Sequence, residues 1–373
     1  MDEISKIHVG LDVHKDSISV GAAEPGRSRG RLIAKTAHDL SKLTKVLIQV
    51  GRPEQLHLVY EAGPTGYGLQ RALSASGYAC EVIAPSQMPR RAGDRVKTDG
   101  RDCIQLAECS RAGQLRAVWI PEPADEAIRD LSRAREDAVN SRTQARHQLK
   151  GFLLRHDLRF AGKTSWTKAH HAWLGALSFE AQAAQTAFTE YWLAVQAGDA
   201  RVQRLTQALR DSVGGWRFEP VVQALQALRG VELVTAVGLV AEIGDLRRFE
   251  HPRKLMGYLG LVPSEASSGD RIHRGSITKT GNAHARRLLT EAAWHYRFKA
   301  RIGTHAHRRQ QGLSQPVRDI AWAAQLRLNK RFTTLQARGL QVNKACVAVA
   351  RELSGFVWAL GRQAMIEDGS WRD

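Results

Sequence analysis

Ile7-His8-Val9-Gly10-Leu11-Asp12-Val13-His14 is the stretch whose reading decides the fold. Apolar Ile7, Val9, Leu11 and Val13 alternate with His8, Gly10, Asp12 and His14, the period of a strand with one face buried. Lys15-Asp16 interrupts the alternation and Ile18 and Val20 resume it, so the pair reads as a hairpin. Asp12 stands in mid-strand, where a carboxylate is costly to desolvate unless something such as a metal ion compensates it. Outward from this hairpin, helical spacing covers residues 40–50. A short apolar strand at 56–60 ends on Glu61-Ala62-Gly63-Pro64. A helix at 66–75 and a strand at 80–84, closed by Pro85, follow. Strands alternating with helices predict a sheet with helices packed on it.

The pattern changes after Pro123. Ala127, Leu131, Ala134, Ala138, Ala145, Leu149 and Phe152 follow three- and four-residue spacing, as do Val202, Leu205, Leu209 and Val213. These predict long amphipathic helices, packed either as a hairpin within the chain or as a coiled-coil dimer arm. A third region, from Leu225, opens with apolar helices, passes through a Ser-, Gly- and Arg-rich loop at 260–281 and continues in basic helices. The expected division is 1–122 (α/β), 123–224 (helical arm) and 225–373 (mainly helical). A chain of 373 residues is long enough for two or three domains.

Composition narrows the function. Lys and Arg number 55 against 37 Asp and Glu, a net charge of +18. Between Ser264 and Arg331 there are 14 Lys and Arg against 4 Asp and Glu, so the excess is clustered and nucleic acid is the expected partner. No apolar run is long enough for a membrane span. The N-terminus shows no apolar targeting segment, and the 4 Cys form no CxxC pair, so a reducing cytoplasm is expected.

Asp12, Glu61, Asp99 and Asp102 are the candidate metal-binding acids. Asp99 and Asp102 are spaced i, i+3 at the start of a helical run, on one helix face. Acids from two strands and one helix suit a pair of Mg²⁺ ions acting on a phosphodiester. Taken singly, Asp99 and Asp102 also fit favourable helix-start charges, and Glu61 an ordinary turn residue. In Ser264-Glu265-Ala266-Ser267-Ser268-Gly269-Asp270, a hydroxyl lies near Arg271, Arg274 and Lys279, which with Arg286 and Arg287 beyond are the candidate phosphate-contacting, nucleic-acid-binding residues; alone, the segment also fits a flexible turn. Arg229-Gly230-Val231-Glu232 reads as a phosphate-binding turn or a helix–helix joint. His170-His171 and His305-x-His307 lack companions at metal-ligand spacing and are expected at the surface or on nucleic acid. Trp294, Tyr296 and Phe298 are expected to pack rather than stack on bases.

Together, Gly10-Leu11-Asp12-Val13-His14-Lys15, Tyr60-Glu61-Ala62-Gly63 and Lys97-Thr98-Asp99-Gly100-Arg101-Asp102 resemble the DEDD tetrad of the IS-one-ten insertion-sequence transposases, relatives of the Piv DNA invertases. Ala241-Glu242-Ile243-Gly244-Asp245, Gly257-Tyr258-Leu259-Gly260-Leu261-Val262-Pro263, Ser267-Ser268-Gly269 and Ile277-Thr278-Lys279-Thr280-Gly281-Asn282 resemble their C-terminal transposase domain, in the family's order. The family's Gly-x-Gly turn is broken here by Glu232. The resemblance implies a RuvC-like, ribonuclease-H-type first domain and Mg²⁺ on Asp12, Glu61, Asp99 and Asp102. It also implies a nucleophilic serine at Ser268, with Ser267 one alignment step away, that forms a 5′-phosphoserine on DNA. Donor and target DNA, a guide (bridge) RNA and a homo-oligomer, a dimer or a tetramer of two dimers, are the implied partners. Two other readings stay open: a RuvC-type endonuclease activating water, and a catalytically inactive nucleic-acid-binding protein.

Overall fold

The computed structural model describes residues 6–85, 88, 98–267, 271 and 273–371. The chain divides into two compact units, Met1–Ile120 and Pro121–Asp373.

In the first unit, β1 (Ile7–Val13) and β2 (Ser17–Ala23) form the expected hairpin. A third strand, β3 (Arg31–Ala37), extends it antiparallel; the sequence pattern did not reveal it. After α1 (Leu40–Val50), β4 (Leu56–Glu61) lies parallel to β1. The helix α2 (Gly68–Ala75) leads to β5 (Ala79–Ile83), parallel to β4. The sheet order is therefore β3-β2-β1-β4-β5, with β1 central. Its alternation sends Val9, Leu11, Leu58 and Tyr60 to one face, where Leu43 and Leu47 of α1 and Leu69 and Leu73 of α2 cover them. Each such leucine removed from water contributes about 1.5–3 kcal/mol.

The other face carries α3 (Asp99–Arg111). Here Gly10 and Gly21 pair across β1 and β2 and present no side chain. A Cβ on Gly10 would sit 2.1 Å from the Cys103 carbonyl oxygen, and one on Gly21 would sit 2.8 Å from the Cys103 carbonyl carbon. The α3 backbone thus lies directly on the sheet. Val59, Ile83 and Leu106 form a small core on this side, and His8 Nδ1 lies 2.8 Å from Ser110 Oγ.

In the second unit, α4 (Pro123–Arg155) and α6 (Gln182–Asp211) form an antiparallel hairpin through the short α5 (Lys168–Gly175). Arg135 donates to Thr206 (2.7 Å) and Arg146 to Asp199 (2.7 Å), so residue numbers run opposite along the two helices. At the far end, Leu149, Phe152, Leu153, Leu174, Phe188 and Val195 make a separate core. His170 is buried there, 2% exposed, among Phe160, Trp166 and Trp173. This corrects the surface placement expected for it: aromatic rings pack around the imidazole. His305 and His307 are exposed as expected.

The base of this unit is helical. It comprises α7 (Glu219–Leu225), α8 (Leu233–Ile243), α9 (Pro252–Tyr258), α10 (Ala283–Ala293), α11 (Thr304–Gln310), α12 (Gln315–Ala337) and α13 (Val342–Glu367). A two-stranded ribbon, β6 (Pro263–Glu265) with β7 (Arg274–Ile277), interrupts it. Tyr296 is fully buried and Trp294 packs against the core, whereas Phe298 is half exposed beneath Arg229 and Arg297. No helix among the described residues is long and apolar enough to cross a membrane. All four cysteines are free and buried.

The arm is bolted to this base by a buried carboxylate. Glu242 on α8 accepts two hydrogen bonds from Arg133 of α4 (2.7 and 2.9 Å) and one from Asn282 (2.7 Å), whose own side chain caps α10. Burial alone would push the Glu242 carboxyl up; the Arg133 and Asn282 hydrogen bonds outweigh it and hold the group below its ordinary value. Beside it, Glu136 of α4 pairs with His284 (2.8 Å) and with Arg287 of α10.

Two outcomes are expected in urea titrations. Gly10→Ala should destabilise the first unit by about 3 kcal/mol, because the obstacle is helix backbone and cannot swing aside; an unchanged midpoint would show that α3 stands off the sheet. Arg133→Met should cost about 2–4 kcal/mol, somewhat less than for a fully enclosed pair because Arg133 is half exposed. The Glu242 contribution is present above the ordinary glutamate value of 4.5 and is lost as pH falls through the lower folded value. The gap between Arg133→Met and the parent protein should therefore narrow in acid.

Candidate functional site

On the α3 face of the sheet, β1 contributes Asp12, and its register partner Ser19 on β2 is in turn paired with Lys35 on β3. Asp12, Ser19 and Lys35 thus form one row across three strands. Residues 103–107 of α3 rest on the glycine pair, and the turn just before them delivers Asp99 and Asp102 above this row. His14, two residues from Asp12, faces the same side. Its Nε2 lies 3.1 Å from Asp12 Oδ2 and 3.5 Å from Asp99 Oδ1. Lys35 Nζ donates to Asp99 Oδ2 at 2.8 Å.

Ligand atoms of Asp12, His14 and Asp99 lie within 4.8 Å of one another. Burial raises the Asp12 carboxyl above its ordinary value, and neighbouring Asp99 and Asp102 push it further, while His14 opposes them. The Lys35 hydrogen bond and charge hold Asp99 low. Crowded carboxylates with an ammonium and an imidazole drawn onto them fit a divalent cation, whose charge would replace that of the ammonium. Carboxylate oxygens suit Mg²⁺ or Mn²⁺, and an imidazole adds preference for transition metals. Glu61 ends β4 one step past the Leu11–Tyr60 pair, on the α3 face beside Asp12, and is exposed. Among the described residues, Glu61 and Asp102 flank the 4.8 Å group rather than join it.

Sequence reasoning missed His14 and Lys35. The signal for His14 was present: strand alternation puts residues 12 and 14 on one face. Lys35 carried no such signal, because its strand was not recognised.

The second constellation lies on the β6–β7 ribbon. Ser267 Oγ donates to Glu265 Oε1 (2.9 Å) and accepts from the His273 backbone N–H (3.3 Å). Ser268 and Gly269 fall outside the described residues. Arg271, Arg274 and Lys279 are exposed, and Arg274 lies 3.6 Å from Glu265. Arg286 and Arg287 are committed within the protein. Arg286 donates to the carbonyls of Leu259 (2.8 Å) and Thr280 (2.9 Å), and burial lowers its pKa; Arg287 pairs with Glu136 and Glu291. The Arg286 bonds lock the ribbon's base, where Gly281 (φ 66°) leaves no room for a Cβ beside the Tyr258 carbonyl. The turn at Gly230 is a helix–helix joint: Arg229 donates to the carbonyls of Phe298 and Lys299, and Glu232 pairs with Arg309.

Two family models match the chain. A DEDD-type transposase model matches residues 9–156, which hold all four acids, and a model described as the transposase IS116/IS110/IS902 family matches residues 222–308. A Sinorhizobium fredii protein named as a candidate transposase, y4qE, is 44% identical over 358 residues, covering 95% of this chain and 88% of its own. The transposase for insertion sequence element IS1533 of Leptospira borgpetersenii is 29% identical over 89% of this chain and 97% of its own. The transposase for IS1111A of Coxiella burnetii is 25% identical over 94% and 88%.

Calorimetric titration with Mn²⁺ checks the acid cluster. Asp12→Asn should weaken binding by about tenfold or more. Lys35→Met should strengthen it, since no ammonium then competes for Asp99. Identical isotherms for Asp12→Asn and the parent chain would remove the metal assignment.

Proposed function

The chain belongs to the IS110 family of insertion-sequence transposases, and on that premise we propose that it cuts and rejoins DNA through a serine nucleophile acting beside a divalent metal centre. The observation that carries this reading is the delivery of Asp99 and Asp102 by α3 onto Asp12 of the central strand. A mixed sheet of order β3-β2-β1-β4-β5 with acids at the ends of β1 and β4 also supports a RuvC-like, ribonuclease-H-type first domain.

Asp12, Glu61, Asp99 and Asp102 would hold Mg²⁺, which when bound neutralises phosphate charge. Ser268 Oγ attacks the scissile phosphorus. The bond from phosphorus to the 3′-oxygen breaks, the serine proton ends on that oxygen, and the DNA 5′ end stays esterified to the protein. The ester conserves the phosphodiester energy, so a second 3′-hydroxyl can reverse the step on another strand. The acids and the serine belong to different units; a dimer or a tetramer of two dimers, its protomers joined by the α4–α6 hairpin, would complete the site. The same family reading adds a bridge RNA that selects donor and target DNA, and a cytoplasmic setting.

One observation favours Ser267 as nucleophile instead. Its hydroxyl already donates to a carboxylate, Glu265, the arrangement of a nucleophile with its base.

Denaturing gels of the protein incubated with labelled DNA ends and Mg²⁺ test the mechanism. Ser268→Ala should abolish the covalent adduct, and the Asp99→Ala/Asp102→Ala pair should reduce cleavage by about 10³-fold or more while DNA retention persists. An adduct lost only in Ser267→Ala moves the nucleophile by one residue. Cleavage that needs neither serine makes the chain a water-activating nuclease.

A further inference from the structure

Behind the β6–β7 ribbon, the second unit contains a cleft of about 900 Å³ walled by β7, α9, α12 and α13. Six cations line it: Arg253, Lys279, Arg327, Arg331, Lys344 and Arg351; the single lining carboxylate is Glu352. Glu352 is engaged by Arg327 (2.8 Å) and Arg331 (3.2 Å). Among the described residues, the side chains of Arg253, Lys279, Lys344 and Arg351 make no ion pair. Like charges held together without counterions weaken the compact state, and a polyanion removes that penalty on binding.

The backbone adds a second, independent observation. Lys279 adopts φ 56°, the left-handed region that a non-glycine side chain rarely occupies. Its amide donates to the Gly260 carbonyl (3.1 Å), and the strained turn holds the lysine at the cleft's edge. Such strain persists where a side chain must be aimed. The wall formed by Gly275, Ser276 and Ile277 is the return strand of the ribbon whose loop holds Ser267.

We infer that this cleft binds the sugar-phosphate backbone of a DNA strand and carries it along the serine ribbon. The inference rests on the DNA-cutting reading of that ribbon, which is what selects DNA over RNA as the occupant. It shifts the main phosphate-contacting role from Arg286 and Arg287, whose donors serve the protein, to Arg253, Lys344 and Arg351.

The test uses the full chain carrying Lys344→Glu and Arg351→Glu, with Lys42→Glu and Lys45→Glu on exposed positions of α1 as a control of equal charge change. Fluorescence anisotropy with labelled 30-nucleotide DNA, single-stranded and duplex, and RNA of the same sequence is read over a salt series. The cleft pair should weaken DNA binding by about tenfold or more and flatten the salt dependence by about two units of slope. The control pair should change it by less than about threefold. If the glutamates lower thermal stability, Lys344→Gln with Arg351→Gln replaces them, with about a threefold loss expected. Equal loss in the control pair, no loss in the cleft pair, or loss confined to RNA overturns the inference. The serine reading fails separately: Ser268→Ala and Ser267→Ala proteins that both still form adduct would refute it whatever the cleft variants do.

Discussion

The first unit depends on one contact between backbones, α3 lying against paired Gly10 and Gly21 with no side chain between them. An ordinary helix–sheet layer is separated by interleaved side chains. Here two glycines remove that spacer at one point, and the N-terminal end of the helix drops toward the sheet. Asp99 and Asp102 therefore meet Asp12 and His14 directly. Glycine weakens a strand by its conformational freedom, so keeping two of them opposite each other in the two central antiparallel strands makes sense only if the close approach is required.

The same contact explains the electrostatics. Asp12 is half buried because α3 covers it, and it feels Asp99 and Asp102 because the helix begins where it does. Lys35 on β3 and His14 just past β1 restrain that repulsion. In the second unit the corresponding problem is solved in the opposite way. Glu242 is enclosed and saturated by fixed donors, so it stays ionised and acts as a rivet rather than as a reactive group. Acids within recognisable motifs can thus differ entirely in use, and their partners make the difference.

Much of this was legible in the residues. The β1–β2 alternation and the apolar run of β4 are patterns that burial imposes directly, and those strands stand where the patterns put them; the three- and four-residue spacing foretold the helices α4 and α6, although at the root of α4 Ile128 and Ser132 are buried and Ala127 is exposed. The edge strand β3 was not legible, because Arg31-Leu32-Ile33-Ala34-Lys35-Thr36-Ala37 alternates poorly and Leu32 is half exposed at the sheet's rim. With β3 unseen, the lysine that restrains Asp99 was unseen too. The placement of His170 was misread for a related reason: an adjacent histidine pair looks polar until the tertiary structure surrounds one ring with aromatics. The commitment of Arg286 to two carbonyls depends on residues 27 and 6 positions away, a geometry that no local pattern encodes.

The arm has a mechanical consequence of its own. Helix α4 is continuous over 33 residues, about 50 Å. Its root is gripped twice, at Asp125 by the Trp216 indole and Arg217, and a few turns on by the rivet at Glu242. A beam clamped at one end amplifies rotation: a tilt of about 5° at the root displaces the tip by about 4 Å over that length. Whatever engages the aromatic tip thereby gains leverage over the helices at the base, and the stiffness of two buried carboxylates sets how much of that torque arrives.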